Sequence, residues 1–106
     1  MLLRVWQFRV RSDKADEFRS VYGPAGAWAE LFRRVAGFLG TELLQSSAEP
    51  DTYLTLDRWE SAEAWAAFLQ AHPEDYAALD QRCDSLTLQE VEVGVFRNVE
   101  TTEEAQ

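Results

Sequence analysis

The stretch from Asp57 to Trp65 constrains the fold most, because a strand pattern runs directly into the start of a helix there. Residues 53–56, just before it, mix aromatic, aliphatic and β-branched side chains, as strands do. Ser61 is a favourable N-cap, and the acid at Glu63 suits the positive end of a helix dipole. Four side chains then recur at helical spacing on one face: Trp65, Phe68, Leu69 and His72. The other elements are expected to cover that face.

Further strand and helix patterns lie on both sides of this stretch. Alternation and composition predict strands at 2–10, 38–45, 52–59 and 87–99. Apolar stripes predict helical segments at about 12–22, 28–35, 61–71 and 74–83. Pro24 breaks or kinks the first helical region, because its ring crowds the preceding turn. Pro73 either ends the next helix or starts a new turn. The resulting order is β-α-β-β-α-β.

This order is that of the ferredoxin-like fold, an α+β architecture with helices on one face of an antiparallel sheet. A single domain is expected to span residues 1–99, and residues 100–106 are expected to form a disordered acidic tail. The helical segments cover only one sheet face. We therefore expect two copies to pack sheet against sheet as a homodimer, which makes a dimeric α+β barrel.

Alternation along the outer strands indicates what the uncovered sheet face contains. In the first strand one face carries Arg4, Trp6, Phe8 and Val10. The other face carries Leu3, Val5, Gln7 and Arg9, so both faces have apolar side chains. In the last strand the pattern predicts that Val91, Val93 and Val95 share one face. These valines are expected to contribute to the dimer interface.

Charge and cysteine content exclude several classes of partner and site. Nineteen acidic against ten basic residues give a net charge of −9, which argues against nucleic acid and anionic membranes as partners. The single cysteine excludes an internal disulfide and fits the reducing cytoplasm, where we expect the protein to reside because no leader pattern is present. One histidine and one cysteine are too few for the usual metal sites. No glycine-rich phosphate loop follows a strand, so neither metal nor cofactor is expected.

A family resemblance rests on the strand-to-helix stretch within this order of elements. Trp59-Glu60-Ser61 ends a strand and Glu63-Ala64 opens a helix, and this arrangement resembles the antibiotic biosynthesis monooxygenase domain, a branch of the dimeric α+β barrel proteins. The resemblance covers nearly the whole chain up to Phe96. It implies a homodimer without a cofactor. Relatives include monooxygenases that make quinones from phenolic polyketides, and enzymes that degrade haem.

The haem-degrading branch of this family can be tested on single residues. It uses an asparagine on the first strand, a tryptophan in the second helix and a histidine further along. These places correspond to Trp6, Phe68 and Asp80 in this sequence, so none of them matches. Other members carry a histidine at the position of Phe68, and this sequence lacks that histidine as well. The resemblance therefore disfavours haem degradation.

Two residues in the second helical region are candidates for a catalytic proton acceptor. The imidazole of His72 can exchange a proton near neutral pH. A carboxylate such as Asp80, one turn from Tyr76, becomes a stronger base in apolar surroundings and could take a phenolic proton. Each also has a plainer interpretation, as a helix-end histidine before Pro73 and as an exposed helix acid.

Large aromatic side chains are candidates for binding a flat aromatic ligand. The substrate-binding candidates are Trp6, Tyr22, Trp28, Trp65, Phe68 and Tyr76. Their rings could stack on a ligand, and the tyrosine hydroxyls could hydrogen-bond a ligand oxygen. Filling the core is the plainer alternative for each.

Asp57 and Arg58 are interpreted as a solvated or inter-subunit charge pair, and Cys83 as buried and inert.

Two classes of function fit these observations. The first is a cofactor-free monooxygenase acting on a small phenolic substrate, in which a base removes a proton and the electron-rich anion reacts with oxygen directly. The second is a non-catalytic small-molecule-binding dimer, and an isomerase of the wider superfamily is a further alternative. An apolar cavity near Asp80 and His72 would favour catalysis. A core filled by its own aromatic rings would favour a structural or regulatory role.

Overall fold

An antiparallel sheet carries all the described helices on one face, in a computed structural model that describes residues 1–99. The strands are β1 (Leu2–Val10), β2 (Phe38–Gln45), β3 (Thr52–Trp59) and β4 (Thr87–Arg97). The helices are α1 (Ala15–Tyr22), α2 (Ala27–Phe32), α3 (Ala62–Ala71) and α4 (Pro73–Cys83). The strands lie in the order β2-β3-β1-β4. The predicted ferredoxin-like α+β fold is confirmed, whereas the dimeric barrel stays a prediction.

The helix boundaries follow from local residue chemistry. Ser61 caps α3, since its hydroxyl accepts a hydrogen bond of 3.1 Å from the backbone N–H of Ala64. Pro73 opens α4 at a position where its missing N–H costs nothing, so the second helical region is two helices. The first region is also split, between Gly23 and Gly26. A Cβ at Gly26 would collide with the backbone carbonyl of Val21, so this turn requires glycine.

The core is a continuous set of aromatic rings between the helices and the sheet. At its centre Trp59 is 0% exposed. Its ring centroid lies 5.1 to 5.8 Å from those of Phe32, Phe38, Trp65 and Phe68. Phe32 belongs to α2 and Phe68 to α3, so Trp59 fixes the corner where both helices meet the end of β3.

Trp59→Ala is expected to destabilise the protein by about 3–5 kcal/mol, because a fully buried indole is replaced by a cavity. Chemical denaturation followed by far-ultraviolet circular dichroism measures the change in unfolding free energy. Leu69→Ala, at a 36% exposed position on α3, is the matched control and should change stability much less. Equal stability of the parent and Trp59→Ala would contradict the central position of this ring.

The register of β4 corrects one prediction from the sequence. Val5 pairs with Gly94, but the next residue of β1, Trp6, pairs with Glu92, so Val93 is an extra residue in a β-bulge. The bulge reverses the alternation of β4. Val95 therefore lies opposite Arg4 on the helix-covered face, and Val91 lies opposite Gln7 on the other face. The prediction that the three valines share one face is wrong. The strand also ends at Arg97 rather than at residue 99.

The sheet face away from the helices, called the open face below, is rich in apolar side chains. Strand pairing places on it Leu3, Val5, Leu44, Leu54, Leu56, Val91 and Phe96. Leu44, Val91 and Phe96 are between 42% and 48% exposed, because no helix of residues 1–99 covers them.

None of the helices of residues 1–99 has the length and apolar composition that a membrane-spanning helix needs. The expected acidic tail, 100–106, lies outside the described residues.

Candidate active site

A cavity of about 330 Å³ lies between the helix-covered face of the sheet and the helices. This volume is at the lower end of the range for small-molecule sites, about 300–1,000 Å³. Arg4, Trp6 and Phe8 of β1 form its floor, because alternate residues of a strand point to the same face. Thr55 and Asp57 of β3 continue the floor beside Trp6 and Arg4. Within these two strands the floor is thus aromatic toward Phe8 and charged at Arg4 and Asp57.

The roof of the cavity comes from three helices. Tyr22 ends α1, Trp28 and Phe32 belong to α2, and Tyr76 and Asp80 belong to α4. The Trp28 ring lies 5.2 Å from the Tyr76 ring in an edge-to-face arrangement and 6.1 Å from the Tyr22 ring, measured between centroids. These contacts hold the rings in a fixed wall around the cavity.

Asp57 is the buried acid of the cavity. It lies in one row of the sheet with Arg4 on β1 and Thr41 on β2. The Thr41 hydroxyl donates to Asp57 Oδ1 at 2.6 Å, and the Asp57 residue is only 8% exposed. Burial raises the pKa of the Asp57 carboxyl and exceeds the opposing effects of the Thr41 hydrogen bond and the Arg4 charge. Asp57 is therefore a stronger base than an ordinary aspartate.

This position corrects the interpretation of Asp57 and Arg58 as a charge pair. The two side chains lie on opposite faces of β3, since neighbouring strand residues alternate. Asp57 faces the cavity. Arg58 instead forms an ion pair of 2.7 Å with Glu42 on the open face. The pairing of strands, rather than adjacency in sequence, decides the partner of each charge.

Arg4 is the one basic residue among the described residues that line the cavity. Its guanidinium carbon lies 3.7 Å from the centroid of the Trp65 ring, which supports a cation–π contact. The side chain is 11% exposed, and its ion pair with the half-exposed Glu92 is long, at 3.9 Å. Arg4 is thus held by an aromatic face, with its positive charge beside Asp57.

Two carboxylates, Asp80 and Glu90, line the exposed side of the cavity. The pKa of Glu90 is raised by partial burial and then by the nearby charges of Asp80 and Asp84. The entrance therefore carries negative potential. It favours neutral over anionic ligands.

A sequence model of the antibiotic biosynthesis monooxygenase family matches residues 1–81, which run from β1 into α4. The matched residues include every lining residue named above except Glu90. The chain belongs to the antibiotic biosynthesis monooxygenase family. The predicted resemblance is confirmed. Among curated protein sequences, none matches this family member.

Solved structures show the same family fold at low sequence identity. SnoaB, a cofactor-independent oxygenase from Streptomyces nogalater, superposes with a TM-score of 0.72 at 22% identity over 94% of each chain. Rv0793 from Mycobacterium tuberculosis gives a TM-score of 0.71 at 18% identity, covering 99% of this chain and 98% of that one. A conserved protein from Methanosarcina mazei Go1 gives 0.68 at 14% identity, covering 93% and 94%. At these identities the likeness concerns the fold alone.

The cavity brings together some of the residues predicted from the sequence. Of the aromatic candidates it includes Trp6, Tyr22, Trp28 and Tyr76. Phe68 is 0% exposed in the core, and Trp65 packs behind Arg4 rather than lining the cavity. Asp80 lines the entrance.

His72 does not line the cavity. It lies at the junction of α3 and α4, where its Nδ1 is 3.6 Å from the Asp75 carboxylate. Within residues 1–99, no cluster of three or more histidine, cysteine or acidic side chains could hold a metal ion. Among the residues of 1–99 that line the cavity, the ordinary proton acceptors are the carboxylates of Asp57, Asp80 and Glu90.

Sequence reasoning did not single out Arg4, Thr41 or Asp57 as site residues. A usable signal is present, because these polar residues occupy positions on the helix-covered face that an apolar alternation would fill. That these three positions lie in one row can be recognised only from the order and register of the strands. Glu90 was missed because the bulge in β4 turns it toward the cavity.

Asp57→Asn is expected to stabilise the protein increasingly as pH rises. Because the folded-state pKa of Asp57 is raised, this carboxyl stabilises the folded protein most when it is protonated, below the ordinary aspartate pKa range. The free energy of unfolding of the parent therefore falls as pH rises through the folded-state pKa. Asparagine still accepts the Thr41 hydrogen bond but cannot ionise. The difference in melting temperature between variant and parent should therefore grow in favour of the variant from pH 4 to pH 8.

Differential scanning fluorimetry across that pH range measures the effect. Asp80→Asn removes one acid from the exposed entrance and controls for the change in net charge. Parallel curves for the parent and Asp57→Asn would show that burial of Asp57 does not shift its ionisation.

Proposed function

We propose that the protein is a cofactor-independent monooxygenase that oxidises a small phenolic aromatic molecule in this cavity. The observation that carries the proposal is Asp57, a buried carboxyl with a raised pKa that faces an aromatic-lined cavity. Such a group is suited to take a proton from a weakly acidic substrate. Membership of a monooxygenase-type family supports the reaction class.

The proposed chemistry needs only the substrate, oxygen and a base. Asp57 removes a proton from a phenol whose ring is conjugated to a reactive methylene, as in an anthrone. The resulting anion donates electrons to molecular oxygen, and a carbon–oxygen bond forms at the methylene carbon. Loss of water then leaves a carbonyl. The methylene is oxidised to a ketone, one oxygen atom enters the product and the other leaves as water.

The charges around the cavity fit this order of events. The acidic entrance formed by Asp80 and Glu90 favours a neutral phenol over a phenolate. Inside, the Arg4 guanidinium lies beside Asp57 and stabilises the anion that proton transfer creates. The rings of Trp6 and Trp28 exclude water and offer faces for stacking. The substrate is thus ionised only after it is enclosed.

Asp80 is the alternative base of the same mechanism, at the entrance rather than within the cavity. His72 can reach the reaction only through another group, because it does not line the cavity. We place Asp57 ahead of both, since it alone combines a cavity position with deep burial.

Oxygen consumption tests the proposal directly. The parent protein, dialysed against a chelator, is mixed with a panel of anthrone-like phenols in an oxygen electrode chamber. We expect uptake of one molecule of oxygen per quinone formed, as followed by product absorbance. Binding of phenols without any uptake across the panel would instead support the small-molecule-binding alternative.

We further propose that the working form is a homodimer joined through the open face. Its seven apolar side chains, defined above, lie in neighbouring strands of one chain. Exposed apolar patches of this kind are the usual mark of a protein interface. A second copy offers the same face, so a two-fold pairing is self-complementary. The dimer would also close the sheet side of the fold and leave the cavity between sheet and helices intact.

A further inference from the structure

Arg4 and Asp57 face the same cavity from neighbouring strands but do not form an ion pair. They lie directly opposite each other on β1 and β3, on the helix-covered face of the sheet. Side chains at such positions have Cβ atoms about 4.5–5.5 Å apart, and opposite charges there usually attract each other. Within residues 1–99, Arg4 pairs instead with Glu92, and Asp57 has no cationic partner within 4.0 Å. Another contact therefore holds the guanidinium away from the carboxylate.

The face of the Trp65 ring is the close contact of Arg4. The guanidinium carbon lies 3.7 Å from the centroid of this ring. The ion pair with Glu92 is long, at 3.9 Å, and the Glu92 side chain is 48% exposed, so solvent screens it. The Arg4 side chain is shielded from water, which strengthens a cation–π contact. The Trp65 ring thus sets the position of the guanidinium.

Other rings hold Trp65 in place. It packs edge-to-face on Trp59, with 5.3 Å between ring centroids, and on Tyr76, with 5.9 Å. It also stacks on Phe68 at 5.7 Å. Trp59 and Phe68 are fully buried, so these contacts leave the indole of Trp65 little freedom to turn. A fixed ring face of this kind can hold a flexible arginine side chain in one position.

The position of Arg4 matters because of its charge, which acts on Asp57. The other groups that face Asp57 are uncharged: the Thr41 hydroxyl from β2 and Tyr76 from α4, whose pKa is raised by burial. Asp80, also on α4, lies on the exposed side of the cavity. An arginine in direct contact lowers the pKa of an aspartate by about 1–3 pH units. With Arg4 out of contact, burial has the larger effect and the pKa of Asp57 is raised.

We propose that Trp65 is a positioning residue of this cavity, whose ring holds the Arg4 guanidinium away from Asp57. The Asp57 carboxyl then has no ion pair, and the guanidinium remains available to an anion in the cavity. This separation of the two charges does not depend on any reaction. Its importance for proton transfer rests on the proposed function, because an Asp57 paired with Arg4 would be a weaker base.

Asp57→Asn in two backgrounds tests the separation without turnover. In the parent, Asp57→Asn is expected to raise the melting temperature at pH 8, as argued above. In a Trp65→Leu background Arg4 is free to pair with Asp57, so the folded-state pKa of Asp57 should fall below the ordinary aspartate value. Such a carboxylate stabilises the folded protein above its unfolded-state pKa, and Asp57→Asn would remove that stabilisation. The difference in melting temperature at pH 8 should therefore shrink to zero or reverse.

Two further backgrounds separate positioning from packing. Trp65→Phe keeps an aromatic face under Arg4 and should preserve the difference seen in the parent. Arg4→Met combined with Trp65→Leu removes the cation that could pair with Asp57, so it should restore the difference. Loss of packing alone would lower the melting temperature equally with and without Asp57→Asn. An unchanged difference in Trp65→Leu, or no restoration by Arg4→Met, would overturn the positioning role of Trp65.

Nuclear magnetic resonance of the parent keeps the proposal testable if Trp65→Leu fails to fold. The Nε proton of an arginine that lies over an aromatic ring is shifted upfield by the ring current. The Arg4 signal, identified by its loss in Arg4→Lys, should therefore lie upfield of the other arginine Nε signals. An Arg4 signal at the ordinary arginine position would show that the guanidinium does not stack on Trp65, and would overturn the proposal.

Oxygen uptake with an anthrone tests the consequence for catalysis. The pH dependence of kcat/KM reports the pKa of the base in the free enzyme. Trp65→Leu should move the rise of kcat/KM about 1–3 pH units lower, whereas Trp65→Phe should leave it in place. A profile that does not move in Trp65→Leu would contradict the positioning role. If the parent took up no oxygen but Trp65→Leu still abolished the difference in melting temperature, the proposed function would fall and the positioning role would stand.

Discussion

Asp57→Asn is expected to lower the kcat for oxidation of an anthrone by about 10²–10⁴-fold, the usual contribution of a positioned general base. Asparagine has nearly the same shape and keeps the hydrogen bond from Thr41, which is 2.6 Å long in the parent. It cannot accept the substrate proton. Steady-state oxygen uptake at several substrate concentrations separates the fall in kcat from any change in KM.

Asp80→Asn and His72→Ala are the comparison variants for this experiment. Asp80 lies at the entrance, so its loss should alter KM more than kcat, and His72 lies outside the cavity lining. If Asp80→Asn abolished turnover while Asp57→Asn did not, the base would be the acid at the entrance. Together with the higher stability expected for Asp57→Asn at neutral pH, a loss of activity would mark Asp57 as a residue that trades stability for function.

Val91→Asp is expected to convert a dimer into a monomer at micromolar concentration. Val91 lies on the open face and is 42% exposed in the single chain, so an aspartate there should not disturb the fold of one copy. In a sheet-to-sheet interface the same carboxylate would be buried without a partner, at an effective penalty of several kcal/mol. Sedimentation equilibrium of the parent and the variant measures the change in mass.

Leu69→Asp introduces the same charge on the outer surface of α3, where Leu69 is 36% exposed, and should leave the dimer intact. A parent protein that sediments as a monomer at micromolar concentration would refute the dimer. A dimeric Val91→Asp would show that the two copies meet through another surface.

Much of the fold could be predicted because local chemistry marks where its elements begin and end. Ser61 and Pro73 mark helix starts, and alternation identifies β1 and β3 with the bounds that the structure has. The faces of β4 could not be predicted, because its bulge depends on how it pairs with β1. Alternation within one strand carries no information about an extra residue of this kind.

The aromatic side chains of the candidate site could be predicted from the sequence, whereas its polar side chains could not. Trp28 and Tyr76 stand out as large rings at helical spacing, and both line the cavity. Asp57 looks like a surface charge in the sequence, since burial of a carboxylate is rare. Its burial results from three strands meeting, with Thr41 from β2 and Arg4 from β1 on either side. No window of consecutive residues contains that arrangement.

The extra residue Val93 affects both faces of the sheet, the face that lines the cavity and the open face. Beyond the bulge, Glu90 and Glu92 fall on the helix-covered face and Val91 on the open face. Uninterrupted alternation from Val95 would exchange these assignments, with acids on the open face and valines toward the cavity. The one extra residue in β4 thus determines both the charge at the cavity entrance and the apolar character of the open face. Divergence by insertion or deletion in β4 would change these two properties together, in a single step, whereas point substitutions change them one at a time.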